Sequence, residues 1–126
     1  MNTPLVLLYN FQHEPRTRQI RRYLSSQGIA VSITEPAEYW QPLGFLAGLP
    51  GFQKDESFHL GGNFSEEMMV LCGLSPKQTD DFLQFFKTAS LAPVDLKAVL
   101  TPVNRHWNSL QLREELMREH KELSAK

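Results

Sequence analysis

The chain has 126 residues, of which 41% are hydrophobic and 21% charged, the proportions of an ordinary globular domain. Thirteen Lys and Arg residues nearly balance fourteen Asp and Glu residues, and the net charge of -1 argues against a nucleic-acid partner. No apolar run approaches the ~20 residues of a membrane span, so no membrane partner is expected. The single cysteine cannot form an internal disulfide, and the N-terminus lacks a signal-peptide pattern, which together predict a cytoplasmic protein.

The first quarter of the chain has the pattern of a β-α-β unit. Residues 5–9 (LVLLY) form a continuous apolar run, which is typical of a strand buried on both faces. Pro15 suits the first turn of a helix, Gly28 suits its end, and the alternation over residues 29–34 predicts an edge strand. We expect the arginines of this helix to lie on a solvated face, namely Arg16, Arg18, Arg21 and Arg22.

Residues 39–66 contain two parts for which different structures are predicted. Residues 39–49 are too apolar for a free loop, and Pro42 favours a short helix over residues 43–47. Residues 50–66 combine glycines with polar side chains, and a segment of this length and composition is typical of a mobile loop.

The second half of the chain again alternates strands and helices. Residues 68–74 form a second apolar run and hence a second central strand, and residues 96–100 predict a fourth strand. Ser75 can cap the intervening helix, with Gln78 at the capping-box position. A last helix is predicted after Asn108, with capping and core positions at Gln111, Leu112, Leu116 and Leu123.

These elements predict a single α/β domain over residues 1–126, with a mobile loop at residues 50–66. We expect a four-stranded, mostly parallel sheet in the order 2-1-3-4, flavodoxin-like in miniature and flanked by helices. The alternative is a ferredoxin-like α+β fold, which also places strands one and three at the centre. The direction in which these two strands pair would separate the alternatives, and burial patterns do not reveal it.

Several short strings are distinctive when taken together, and the chain carries them at residues 7–10 (LLYN), 41–44 (QPLG), 66–68 (EEM), 96–102 (LKAVLTP) and 104–107 (NRHW). With them, the chain resembles a small bacterial family of uncharacterised proteins, the domain of unknown function 3783. The resemblance spans most of the chain apart from residues 50–65. It implies a compact bacterial α/β domain and supplies no activity, ligand or catalytic residue.

Common catalytic and cofactor motifs are absent. The sequence has no glycine-rich phosphate-binding motif and no Cys-x-x-Cys, and no aspartate ends the third strand as in a receiver domain. The histidines lack metal-ligand spacing, at His13, His59, His106 and His120. The sequence therefore predicts no cofactor, no metal site and no catalytic residue, and it argues against an enzyme without excluding one.

The candidate binding site is the edge of the sheet where strands end. If all strands ran parallel, Asn10 would end its strand at the same edge as Thr101. The predicted ligand-binding residues are accordingly Asn10, Thr101, Asn104, Arg105 and His106. Together they could hold a small anionic or amide-bearing ligand. Alternatively, the two asparagines satisfy loop backbone groups, and Trp107 anchors the last helix.

Cys72 and the acidic pair Glu66 and Glu67 have two interpretations each. A lone cysteine in an apolar strand is typical of a core residue, and its alternative role is a nucleophile. The two glutamates point to opposite faces of a strand, so we expect solvated charges rather than an acid–base pair.

Three functional hypotheses follow, and the function itself stays unknown. The leading one is a small cytoplasmic binding or regulatory module, with the residue 50–66 loop as a lid. The second is an enzyme acting on a small polar ligand at the same rim, with or without Cys72. The third is a protein-protein interaction domain using an apolar patch of Tyr39, Trp40, Phe45 and Leu46. The partner is thus a small molecule or a protein.

Overall fold

The computed structural model describes residues 3–12, 14–57, 59 and 61–124. A four-stranded sheet lies between two helical layers, and its strands are β1 Leu5–Tyr9, β2 Ala30–Ile33, β3 Met68–Cys72 and β4 Leu96–Val99. The helices are α1 Glu14–Ser26, α2 Leu43–Leu46, α3 Pro76–Thr88 and α4 Ser109–Ser124, with 3-10 turns at Pro36–Glu38 and Asn104–His106. Among the described residues, no helix has the length and apolar composition needed to cross a bilayer.

The strand order is β2-β1-β3-β4, so the predicted α/β fold and its order are confirmed. β1 pairs in parallel with β2, and β3 pairs in parallel with β4. The central pair is antiparallel, with Leu5 opposite Cys72 and Tyr9 opposite Met68. The sheet is therefore mixed, and its two β-α-β units run in opposite directions. This direction decides which strand ends share an edge.

Both faces of the central strands are covered, which explains their continuous apolar runs. On one face, Val6 and Leu8 of β1 pack in a cluster with residues of α1 and α3. On the other face, Leu7 and Tyr9 pack with residues of α2, α4 and the segment between β2 and β3. Cys72 belongs to this second cluster, where it is only 3% exposed, as expected of a core residue.

Both predicted capping boxes form. The Ser75 hydroxyl accepts from the N–H of Gln78 at 3.0 Å, and the Gln78 side chain accepts from the N–H of Ser75 at 2.8 Å. Asn108 and Gln111 make the same reciprocal pair, each at 2.9 Å. These local signals locate the starts of α3 and α4 because each involves residues only three positions apart.

Two predictions about helix faces are wrong. Arg16 is buried, whereas Arg18, Arg21 and Arg22 are exposed as predicted. Its guanidinium is enclosed because it finds acceptors on other elements of the fold. Leu123 is 71% exposed because α4 continues past the core, and residues 118–123 are all exposed.

Candidate functional site

The five predicted ligand-binding residues lie in two places rather than one. Because β1 and β3 are antiparallel, Asn10 follows β1 at the edge where β3 begins. The other four residues follow β4, at the opposite edge, and they are Thr101, Asn104, Arg105 and His106. The expectation that these strand ends form one rim is therefore wrong, since it required β1 and β3 to run parallel.

The Asn10 side chain holds the chain just before β3. Its backbone is left-handed, with φ 61°, a conformation that asparagine tolerates better than most residues. Its Nδ2 donates to the carbonyls of Phe64 at 2.9 Å and Glu66 at 3.0 Å. Its Oδ1 accepts from the Tyr39 hydroxyl at 3.4 Å. These bonds satisfy backbone groups of a loop that is distant along the chain, which supports a structural role for Asn10.

Asn104, by contrast, satisfies the backbone of its own turn. The buried Asn104 Oδ1 accepts from the N–H of Thr101 at 2.8 Å, and its Nδ2 donates to the carbonyl of Val99 at 3.0 Å. The Thr101 hydroxyl accepts from the N–H of Asn104 at 3.0 Å. This pair closes the turn after β4 and positions the next residue, Arg105. Trp107 packs against the second core cluster, which supports its role as an anchor.

His106 is exposed, and its ring lies 5.3 Å from the ring of Phe52. Its ring nitrogens make no hydrogen bond with any described residue. His59 stacks on Trp40 at 4.4 Å and lies 3.1 Å from a carboxylate oxygen of Asp55. His13 lies outside the described residues. Across the described part of the chain, no group of three or more His, Cys, Asp or Glu residues could hold a metal ion.

A cleft of about 200 Å³ opens beside Arg105, between the ends of β3 and β4 and the end of α2. Arg105 lines the cleft, and its Nε is buried and has no hydrogen-bond partner among the described residues. The Thr101 hydroxyl accepts from a backbone N–H, which leaves its own hydrogen able to donate. The remaining lining residues are Thr3, Ala47, Leu49, Cys72, Gly73, Leu100 and Pro102.

This cleft combines one cation with walls that are part polar and part apolar. A guanidinium is a planar fork of donors that suits carboxylate and phosphate oxygens. Ala47, Leu49 and Leu100 offer apolar surface to the rest of a small ligand. The arrangement can therefore bind a small anion, and it brings together two of the five predicted residues, Thr101 and Arg105.

Cys72 also lines the cleft, but its thiol is poorly suited to attack a ligand. Burial raises the pKa of the Cys72 thiol to about 12. The reactive form is the thiolate, which is scarce at neutral pH when the pKa is this high. The Cys72 Sγ lies 3.8 Å from the carbonyl of Val70, as a weak donor. The geometry thus supports the core interpretation.

The described part of the segment of residues 50–66 is held by hydrogen bonds to Trp40 and Gln41. Gln41 holds it with two bonds, since its side chain accepts from the N–H of Asp55 at 2.7 Å and donates to the Asp55 carbonyl at 3.0 Å. The Trp40 indole donates to the carbonyl of Gly61 at 3.3 Å. Near the start of the segment, Phe52 contacts His106, beside the cleft. Sequence reasoning missed Gln41, although a glutamine inside an apolar segment was an available signal.

The sequence suggested that Glu66 and Glu67 are solvated charges, but both form ion pairs with arginines. Glu67 pairs with Arg16 at 2.6 Å, and Glu66 pairs with Arg113 at 2.8 Å. The hydrogen bond from Arg113 lowers the pKa of Glu66. These arginines lie 51 and 47 positions away along the chain, so no local pattern could have revealed the pairs.

The apolar patch proposed for protein-protein interaction is not an exposed surface. Tyr39 is fully buried, and Trp40, Phe45 and Leu46 are half-buried. Tyr39 and Leu46 pack in the second core cluster, which removes the basis for an interface at this place.

The model of a family described as Domain of unknown function (DUF3783) matches residues 67–123. The predicted resemblance is confirmed for this part of the chain. The DUF3783 match runs from the start of β3 into α4, and it includes Thr101 and Arg105 of the cleft. Residues 7–10 and 41–44, which also carried the resemblance, lie outside it. No curated protein and no solved structure matches the chain. The family description assigns no function, so the function is unknown.

Proposed function

We propose that residues 1–126 form a single cytoplasmic bacterial domain that binds a small anionic ligand in the Arg105 cleft, as a binding or regulatory module. The observation that carries the proposal is the enclosed Nε of Arg105, which lacks a partner among the described residues. A buried donor without a partner costs about 1–3 kcal/mol. A bound carboxylate or phosphate would remove that cost.

The size of the cleft limits the ligand. Its volume of about 200 Å³ lies below the range of about 300–1,000 Å³ typical of drug-sized ligands. A short carboxylic acid or a small phosphate ester fits these limits, with its anionic group on Arg105 and Thr101.

The residue 50–66 segment serves as the lid in this proposal. It follows directly on Leu49 of the cleft wall, and Phe52 contacts His106 next to Arg105. Opening of this segment would admit the ligand, and the Phe52–His106 contact would close over it. Thr101 and Asn104 contribute differently, since Thr101 faces the ligand and Asn104 positions the turn.

Calorimetric titration with a panel of short carboxylates, phosphate esters and their uncharged amide analogues tests the proposal. We expect an anion to bind, its uncharged analogue to bind at least tenfold more weakly, and Arg105→Gln to abolish binding while the fold is retained. Arg22→Gln is the matched control, because Arg22 is exposed on α1 and outside the cleft. Equal binding by the wild type and Arg105→Gln, or no binding across the panel, would reject the proposal.

A further inference from the structure

A second concavity lies on the other face of the sheet, between α3 and the start of β4. It has a volume of about 380 Å³, inside the usual range for small-ligand pockets. Its walls are apolar and consist of Met69, Leu83, Phe86, Leu91, Pro93 and Val94. The side chains of Lys87 and Lys97 complete the lining. We call this concavity the α3–β4 groove.

The groove exists because β4 is an edge strand whose face toward α3 is incompletely covered. Leu96 and Ala98 of β4 pack on the opposite face, in the cluster with α4. The alternate residues, Lys97 and Val99, therefore point to the α3 side, and Val99 is 49% exposed. An apolar surface is left between the helix and the strand.

The charges at the groove are of one sign and uncompensated. Lys97 Nζ donates to the carbonyl of Val94 at 3.1 Å, which holds the ammonium at the groove and leaves two N–H groups free. Lys87 lies exposed in the last turn of α3. Neither lysine forms a salt bridge with any residue in the described part of the chain.

We propose that the α3–β4 groove binds a medium-chain carboxylate, a single-chain amphiphile with an anionic head. The alkyl chain lies along the apolar walls, and the carboxylate lies between Lys87 and Lys97. The walls offer little to a wholly polar ligand, and the two ammonium groups select a negative head over a neutral one. This site is separate from the Arg105 cleft, since the two are lined by different residues on opposite faces of the sheet.

Titration of the full chain with hexanoate, octanoate and decanoate, below micellar concentrations, tests the proposal. Each added methylene that enters the groove should tighten binding about fourfold. The matching alcohols should bind at least tenfold more weakly than the acids. The double variant Lys87→Gln, Lys97→Gln should weaken binding of the acids to the level of the alcohols and leave the alcohols unchanged.

Three further variants distinguish binding in the α3–β4 groove from binding elsewhere on the protein. Lys54→Gln, at an exposed lysine outside the groove, should bind decanoate as the wild type does. Arg105→Gln should also leave decanoate binding unchanged, which separates this site from the proposed function. Leu83→Glu, which places a carboxylate in the groove, should abolish binding, with circular dichroism to confirm the fold.

Affinity independent of chain length, or unchanged in the double lysine variant, would overturn the proposal. Binding to anionic phospholipid vesicles without binding of the soluble acids would also overturn it, because the groove would then dock on a lipid surface.

Discussion

The guanidinium of Arg16 lies against the carboxylate of Glu67, with Nη1 at 2.8 and 2.6 Å from its two oxygens. The same guanidinium donates to the carbonyl of Ala92 from Nε at 3.1 Å and from Nη2 at 2.7 Å. One side chain of α1 therefore holds both the start of β3 and the segment that leads into β4. Arg16 is only 6% exposed and Glu67 is 32% exposed, so the pair is mostly but not wholly shielded from water.

Replacing Arg16 with Met should lower the free energy of unfolding by about 3 kcal/mol. The change leaves Glu67 without its cation and the Ala92 carbonyl without its donors, and losing one partner of a buried pair is costly. Urea denaturation measures the effect. Arg18→Met is the control, because Arg18 is 63% exposed and pairs only at 3.7 Å, and it should change stability by less than about 0.5 kcal/mol. Equal losses would show that the Arg16 bonds contribute no more than a surface pair.

Replacing Asn104 with Ala should cost about 2 kcal/mol of stability. The N–H of Thr101 and the carbonyl of Val99 both lose their partner in the turn after β4. Asn104→Asp keeps the acceptor for Thr101 but sets a carboxylate oxygen against the Val99 carbonyl in a buried turn, so its loss at neutral pH should be at least as large. Thermal unfolding ranks the two variants. A wild-type melting temperature for Asn104→Ala would contradict the turn role and return Asn104 to the list of ligand-binding candidates.

The neighbouring glycines Gly61 and Gly62 test whether the residue 50–66 segment stays docked in solution. Both have a left-handed backbone, with φ 76° and 77°, so Ala at either position pays about 1–2 kcal/mol. Only at Gly62 would the added Cβ clash, 2.7 Å from Leu110 Cδ1 and 2.9 Å from Trp40 Cζ2. We therefore expect Gly62→Ala to cost at least about 1 kcal/mol more than Gly61→Ala in urea denaturation. Equal costs would indicate that the segment is undocked and mobile, as its composition predicts.

Stability should fall at alkaline pH because of Cys72. Its thiol has a pKa of about 12 in the folded protein, against an ordinary value of 9.0 that the unfolded chain regains. Below pH 9 both states keep the proton and the thiol's contribution is constant. Between pH 9 and 12 the unfolded state ionises and the folded state does not. The free energy of unfolding should therefore fall by up to about 1.4 kcal/mol per pH unit.

Urea denaturation of the wild type and Cys72→Ala across this pH range measures the contribution. Tyr9, whose pKa burial also raises to about 12, adds the same dependence to both proteins. The variant should lose stability less steeply with pH than the wild type. Parallel curves would mean that the Cys72 thiol is not held protonated by the fold.

Much of the fold could be predicted because its signals are local. The apolar runs of β1 and β3 follow from burial on both faces, and the starts of α3 and α4 follow from capping boxes three residues long. The central places of β1 and β3 could also be predicted, since both strands are fully apolar. For Asn104, the sequence offered both a ligand role and a turn role, and its hydrogen bonds support the turn role.

Other features depended on how the elements meet in space. The continuous apolar run of a strand buried on both faces does not indicate the strand's direction. Only the folded chain shows that β1 and β3 are antiparallel. That direction separates Asn10 from Thr101 and leaves Arg105 as the centre of the cleft. The partners of Arg16 lie 51 and 76 positions away, beyond the reach of any local pattern. Local side-chain chemistry thus determined the elements, while long-range packing decided which side chains share a site.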